Sequence, residues 1–62
     1  LWRNNLAKAP EVGDRIIHNE PGFNRTNEGV VEQLLSMQFT YRTDKDQSRF
    51  CLYKEDWRKV NG

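Results

Sequence analysis

The sequence predicts a mostly β fold: one small domain of about five short strands, with a single helical turn before the last strand. Three observations support this. Ile16 and Ile17 form a β-branched pair directly after a Gly-Asp turn. Over residues 38–43, aromatic side chains alternate with polar and β-branched ones. Five of the seven aromatic residues lie between Phe39 and Trp57, which favours an ordered core over disorder.

The predicted elements follow one another over residues 11–60, after a polar lead-in over residues 1–10. In the lead-in, Trp2 and Leu6 have the spacing of one helical turn, which Pro10 ends. The first strand is expected at 15–18, and a long loop rich in Asn, Pro and Gly at 19–28. The polar turn 44–48 separates two alternating segments and predicts a β-hairpin. A helical turn at 54–57 and a short strand at 58–60 complete the domain.

Residues 29–42 fit two patterns. The apolar pairs Val30-Val31 and Leu34-Leu35 lie four residues apart, which fits a helix. The stretch also fits a strand, because every second residue is apolar except Gln33. The apolar residues of this series are Val31, Leu35, Met37, Phe39 and Tyr41. We predict a long bent strand from the period of two and the β propensity. An α+β fold with a helix near 28–38 is the alternative.

The size and composition set the class of protein. The chain has 62 residues, and Cys51 is its only cysteine, so no internal disulfide can form. No apolar run approaches the ~18 residues of a membrane span, and no signal-peptide pattern is expected. A lone free cysteine suits a reducing compartment, so we expect a cytoplasmic protein. The chain begins at Leu1, which we interpret as a processed form or a piece of a longer protein.

The order of the elements resembles an SH3-like small β-barrel of the Tudor-like or KOW-like kind. The resemblance covers residues 11–60 and is carried by Val12-Gly13-Asp14-Arg15-Ile16, by Gly29-Val30-Val31 and by Trp57 to Val60. It implies a sheet that closes on itself and so removes its exposed edges. The small size and the lack of catalytic motifs also resemble accessory proteins of bacteria or their phages.

No catalytic residue, metal site or cofactor is expected, so we do not expect an enzyme. His18, the only histidine, and Cys51 make at most half a zinc site. Cys51 is expected to be a buried small hydrophobe because it lies between Phe50 and Leu52. The acid pairs Asp44/Asp46 and Glu55/Asp56 fall in predicted turns, where we expect them to be solvated.

The candidate partner-binding residues are aromatic and basic. Phe23 lies in a loop, where we expect it to fold back as a lid on the barrel, with exposure for binding as the alternative. We expect Trp57 to pack partly onto the domain beside Tyr53 or Val60, with an exposed anchor as the alternative. The complete predicted partner-binding set is Phe23, Arg25, Tyr41, Arg42, Arg49, Tyr53, Trp57 and Arg58.

The charge balance decides which partner we expect. Ten Lys and Arg face nine Asp and Glu, giving a net charge of +1 with His18 neutral. Nucleic-acid binders normally carry a clear basic excess. We therefore predict a non-enzymatic protein-interaction module, an adaptor or inhibitor that docks on a larger cytoplasmic machine such as the transcription apparatus. Binding of RNA or single-stranded DNA is the alternative, because arginines beside aromatic rings also form such platforms.

Overall fold

The computed structural model describes residues 9–60, which form five β-strands and no helix. The strands are β1 (Arg15–Glu20), β2 (Arg25–Leu34), β3 (Gln38–Thr43), β4 (Ser48–Leu52) and β5 (Trp57–Lys59). The predicted mostly β class is confirmed. The helical turn predicted around Trp2 and Leu6 lies outside the described residues. Within them, no helix has the length and hydropathy to cross a membrane.

The strands form one antiparallel sheet in the order β4-β3-β2-β1-β5. β1 is paired on both sides: Ile16 lies opposite Gly29 of β2 and opposite Lys59 of β5. Beyond β5, the Val60 N–H donates to the Arg15 carbonyl at 2.8 Å. β4 and β5 lie at the two edges of the sheet. Among residues 9–60, strand pairing therefore does not remove the edges as the barrel resemblance implied.

Residues 29–42 contain two strands joined by a tight turn. The prediction of one long bent strand is therefore wrong, and so is the alternative of a helix near 28–38. The Leu35 N–H donates to the Gln38 carbonyl at 2.8 Å and closes this hairpin. The pairing of β2 with β3 shifts its register between Val31 and Gln33. A bulge there inserts one extra residue, which explains why Gln33 breaks the alternation of apolar residues. The apolar pattern was misleading because several of its residues lie exposed around the turn: Leu34, Leu35 and Met37.

The loop between β1 and β2 is shorter than predicted. β1 continues to Glu20 and β2 begins at Arg25, so only residues 21–24 connect them rather than 19–28. Gly22 and Asn24 have φ angles of 82° and 53°, a left-handed backbone that glycine and asparagine adopt most readily. Pairing with β1 thus keeps the polar start of β2 in a strand despite its loop-like composition.

The predicted hairpin around residues 44–48 is confirmed. Phe39 of β3 lies opposite Cys51 of β4, and Tyr41 lies opposite Arg49. The Thr43 N–H donates to the carbonyl of residue 47 at 2.8 Å, next to a left-handed residue at position 46. The alternating pattern therefore identified both the strands and the turn between them.

The segment before β5 is a hydrogen-bonded turn and not the predicted helical turn. The Glu55 N–H donates to the Leu52 carbonyl at 3.0 Å. The Asp56 carbonyl accepts the Asn19 N–H at 2.9 Å, so this turn is held against β1. β5 begins at Trp57, one residue earlier than the predicted 58–60 strand.

The buried apolar side chains form one small cluster: Ile16, Val31, Phe39, Tyr41 and Cys51. Two half-buried rings pack against it. The Phe39 ring centre lies 5.2 Å from Trp57, edge to face, and 5.7 Å from Tyr53. The Trp57 indole N–H donates to the Tyr53 carbonyl at 3.0 Å. The prediction that Trp57 packs partly onto the domain beside Tyr53 is confirmed.

Gly29 allows β2 to pass very close to β3. A Cβ atom at this position would lie 2.8 Å from the carbonyl carbon of Arg42 and 2.9 Å from the Tyr41 ring. Side chains do not pack at such distances, so any larger residue would push the two strands apart. Gly29 lies inside β2, opposite Thr43, rather than opening the strand as predicted.

Candidate binding cleft

The structure brings three of the eight predicted partner-binding residues together. Phe23 and Arg49 line one cleft, and the Arg25 guanidinium lies 5.3 Å from the centre of the Phe23 ring. That distance is typical of a cation–π contact. Phe23 is 67% exposed, so the prediction that it folds back as a lid is wrong. The alternative, an exposed aromatic in the loop, describes it correctly.

The other five predicted residues do not join this group. Tyr41 is fully buried in the core, which corrects its prediction as a partner contact. Tyr53 and Trp57 are half-buried against the same core. Arg42 pairs with two carboxylates on its own part of the surface. Arg58 is exposed on β5 and does not line the cleft.

The cleft has a volume of about 350 Å³ and lies between the β1–β2 loop and β4. The outer part of its lining is exposed and partly aromatic, and consists of Pro21, Phe23, Ser48 and Phe50. The inner part is ionisable, and consists of His18, Glu20, Arg49 and Glu55. Phe50 is 59% exposed and was missed by the sequence reasoning. Once Cys51 is placed in the core, the period of two in a strand directs Phe50 outward.

Within residues 9–60, β4 carries unpaired backbone groups along this cleft. In an antiparallel pair, alternate residues direct both their N–H and C=O towards the neighbouring strand. The Thr43 N–H bonds to the carbonyl at position 47, so the odd-numbered residues of β4 face β3. Leu52 has the other orientation, because its N–H and C=O contact Glu55 at 3.4 Å and 3.0 Å. Ser48 and Phe50 share that orientation, so their backbone groups point to the open edge of the sheet.

A chain of hydrogen bonds links buried polar groups behind the cleft. The Asn27 amide donates to the Tyr41 hydroxyl at 3.3 Å, which lies 2.9 Å from His18 Nδ1. His18 Nε2 lies 2.9 Å from Glu55 Oε1. A carboxylate only accepts, so the imidazole proton is on Nε2 and the Tyr41 O–H donates to Nδ1. His18 is 2% exposed, yet both ring nitrogens have partners, which offsets the cost of burying them.

Two ionisable groups in this region have raised pKa values. Burial raises the pKa of the Tyr41 phenol, and the hydrogen bond from Asn27 opposes this only in part. Burial raises the pKa of the Cys51 thiol to about 12, with the Glu55 and Asp56 carboxylates adding to the effect. Both groups are neutral near pH 7. Cys51 is fully buried, as predicted, and has the character of an inert small hydrophobe rather than a nucleophile.

The prediction that both acid pairs are solvated in turns is wrong for Glu55. Its side chain is only 20% exposed and contacts His18. In the other pair, Asp44 accepts two hydrogen bonds from Arg15 at 2.7 and 2.8 Å. The sequence reasoning missed Glu55 because its contact joins residues 37 positions apart, and no local pattern indicates that.

Four arginines on the described surface are paired with carboxylates. The shortest contact of each is Arg15–Glu28 at 2.6 Å, Arg42–Glu32 at 2.8 Å, Arg49–Glu20 at 3.3 Å and Arg25–Glu20 at 3.5 Å. The Arg49 Nε is buried and makes no hydrogen bond within the described residues. Positive charge around the cleft is therefore locally neutralised.

Comparison with protein-family models, curated proteins and solved structures finds no significant match for this chain. Its function is therefore inferred from its own residues.

Proposed function

We propose that this protein is a non-enzymatic protein-interaction module that binds an extended segment of a partner protein along β4. One observation carries the proposal: the unpaired backbone edge of β4 borders a cleft with exposed aromatic side chains. The strand order supports placing the domain with SH3-like small barrels. We place the protein in the cytoplasm, where its free thiol would stay reduced.

The backbone edge supplies the first part of the recognition. Ser48 and Phe50 direct N–H and C=O groups outward, which is the pattern an added antiparallel strand would complete. Strand addition of this kind derives its affinity from main-chain hydrogen bonds and its specificity from pockets for alternate side chains. Beyond Phe50, Glu55 already occupies the backbone groups of Leu52. The added strand would therefore end there, beside the cleft.

The aromatic side chains supply the second part. Phe23 and Phe50 are 67% and 59% exposed and line the same cleft. Large rings in water cost free energy that burial against a partner recovers, at ~25 cal/mol per Å² of apolar surface. A side chain of the added strand would enter between them. Met37, although 72% exposed, lies outside the cleft and provides a matched control.

The charges favour a protein over a nucleic acid. A phosphate backbone is bound by unpaired cations, and its affinity falls steeply with salt. The arginines nearest the cleft, Arg25 and Arg49, both contact Glu20. Their pairing leaves little positive charge for phosphates, which weakens the alternative of RNA or single-stranded DNA binding.

The test begins with capture of partners from a lysate treated with nuclease, followed by titration of the purified partner. Phe23→Ser and Phe50→Ser should each weaken binding at least tenfold, while Met37→Ser should bind like the parent. Ser48→Pro should also weaken binding. It removes an N–H that faces away from β3, at the first position of an edge strand where proline is tolerated. Ser48→Ala should bind normally.

Four results would contradict the proposal. Capture that disappears with nuclease would indicate nucleic acid, as would an affinity whose logarithm falls steeply and linearly with the logarithm of the salt concentration. Equal binding by the parent and Phe50→Ser would exclude the cleft. Normal binding by a folded Ser48→Pro variant would exclude strand addition.

A further inference from the structure

A cluster of three different ligand types lies behind the cleft and is not used by the proposed function. His18, Cys51 and Glu55 each offer one ligand atom, and the three atoms lie within 4.8 Å of one another. They come from β1, from β4 and from the turn before β5. Counting only histidine and cysteine in the sequence left this set incomplete, because Glu55 joins it only through the fold.

The geometry points to a binding site for one Zn²⁺ ion held by the His18 imidazole, the Cys51 thiolate and the Glu55 carboxylate. Zinc accepts nitrogen, sulfur and oxygen ligands in a tetrahedral arrangement. Magnesium and calcium prefer sites made only of oxygen, so a set with thiolate and imidazole selects against them.

The imidazole is already oriented for this role. Its Nε2 lies 2.9 Å from Glu55, and its Nδ1 lies 2.9 Å from the Tyr41 hydroxyl, which Asn27 also contacts. Metal-ligating histidines usually donate the other ring N–H to a fixed partner, which sets the tautomer. On binding, the ring proton moves to Nδ1, the Tyr41 O–H turns away from the ring, and the Tyr41 oxygen accepts the hydrogen bond from Nδ1–H. Nε2 then carries the lone pair that the ion needs.

The charges of the bound state balance. Cys51 releases one proton to solvent and becomes a thiolate, Glu55 is already a carboxylate, and His18 stays neutral. One divalent ion therefore neutralises the two negative ligands, which suits a site where His18 and Cys51 are buried. The fourth position faces the cleft, because His18 and Glu55 both line it. Water occupies that position, as in zinc sites with three protein ligands.

Such an ion would also join β1 to β4, two strands that are not neighbours in the sheet. β2 and β3 lie between them in the strand order, and a small domain without a disulfide gains from a metal cross-link. Because the ion binds only the folded chain, it raises the melting temperature in proportion to the logarithm of its concentration. This gives a measurement that needs neither a partner nor an activity.

The test uses tag-free protein freed of metal by a chelator and titrated with Zn²⁺, Co²⁺ and Mg²⁺. We expect one Zn²⁺ per chain, a melting temperature raised by at least about 5 °C at saturation, and no effect of Mg²⁺. Co²⁺ should give a thiolate-to-cobalt charge-transfer band. Cys51→Ala should abolish that band, and Glu55→Gln should weaken affinity at least tenfold. Glu32→Gln, a carboxylate outside the cluster, should change neither.

Absence of Zn²⁺ binding at micromolar concentration would overturn the site. A cobalt band that persists in Cys51→Ala would overturn it too, as would tight binding by Glu55→Gln. The circular dichroism and melting of each metal-free variant show whether it is folded. If Cys51→Ala fails to fold, the thiolate-to-cobalt band of the parent and its loss on addition of Zn²⁺ decide in its place, because Cys51 is the only cysteine of the chain. Partner binding by metal-free protein is measured separately, so either proposal can fail alone.

Discussion

Replacing Trp57 by alanine separates a folding role from a binding role. Loss of a fully buried Phe or Trp side chain costs ~3–5 kcal/mol, and Trp57 is half-buried, so its packing on Phe39 contributes about half of that. The indole N–H bond to the Tyr53 carbonyl adds ~1 kcal/mol. Together these give about 3 kcal/mol. For a domain of this size, that corresponds to a fall in melting temperature of ~12–24 °C.

Thermal and urea unfolding of the free protein measure this loss. Trp57→Phe is the matched variant, since it keeps a ring against Phe39 and loses the hydrogen bond, at a cost of ~1 kcal/mol. If Trp57→Ala melts within a few degrees of the parent, the packing argument is refuted. Trp57 would then return to the predicted partner-binding residues.

Two further predictions concern buried positions. Gly29→Ala should destabilise the domain by ~2 kcal/mol or more, because its Cβ would meet the backbone of Arg42; urea unfolding with a midpoint equal to the parent's would contradict this. Burial raises the pKa of the Cys51 thiol to about 12, so the folded state favours the neutral thiol. This contribution to the free energy of unfolding is complete below the ordinary thiol pKa of ~8.5 and is lost as the pH rises towards 12. In chelator, the parent should lose stability more steeply above pH 9 than Cys51→Ala does. Parallel pH profiles would refute the burial effect.

The sequence was sufficient for the parts of the fold that depend on local alternation. The β3–β4 hairpin, the burial of Cys51 and the packing of Trp57 follow from period-two patterns and aromatic content. The β2–β3 hairpin was missed because its apolar turn residues imitate strand residues. The early start of β2 was missed because its first residues are polar and have loop composition, and only pairing with β1 keeps them in a strand.

The candidate site was predictable only in part, because the sequence gives the type of each residue but not the contacts that the fold creates. Phe23, Arg25 and Arg49 were selected by residue type, and the fold brings them together. Tyr41 was misassigned because an aromatic ring in an alternating strand can face either the core or solvent. The contact between His18 and Glu55 depends on how the turn before β5 packs against β1, and no spacing in the sequence encodes it.

The pairing of β1 with β5 has a consequence for protein architecture. Val60 hydrogen bonds to Arg15, so the chain enters the first strand of the sheet and leaves the last strand at nearly the same point. Domains with adjacent ends can be inserted into a surface loop of a host protein without distorting it, and their chains can be circularly permuted. New ends placed in the tight connection at residues 44–47 would leave the five strands and their order intact. The domain is thus suited to serve as a transferable insert within a larger polypeptide.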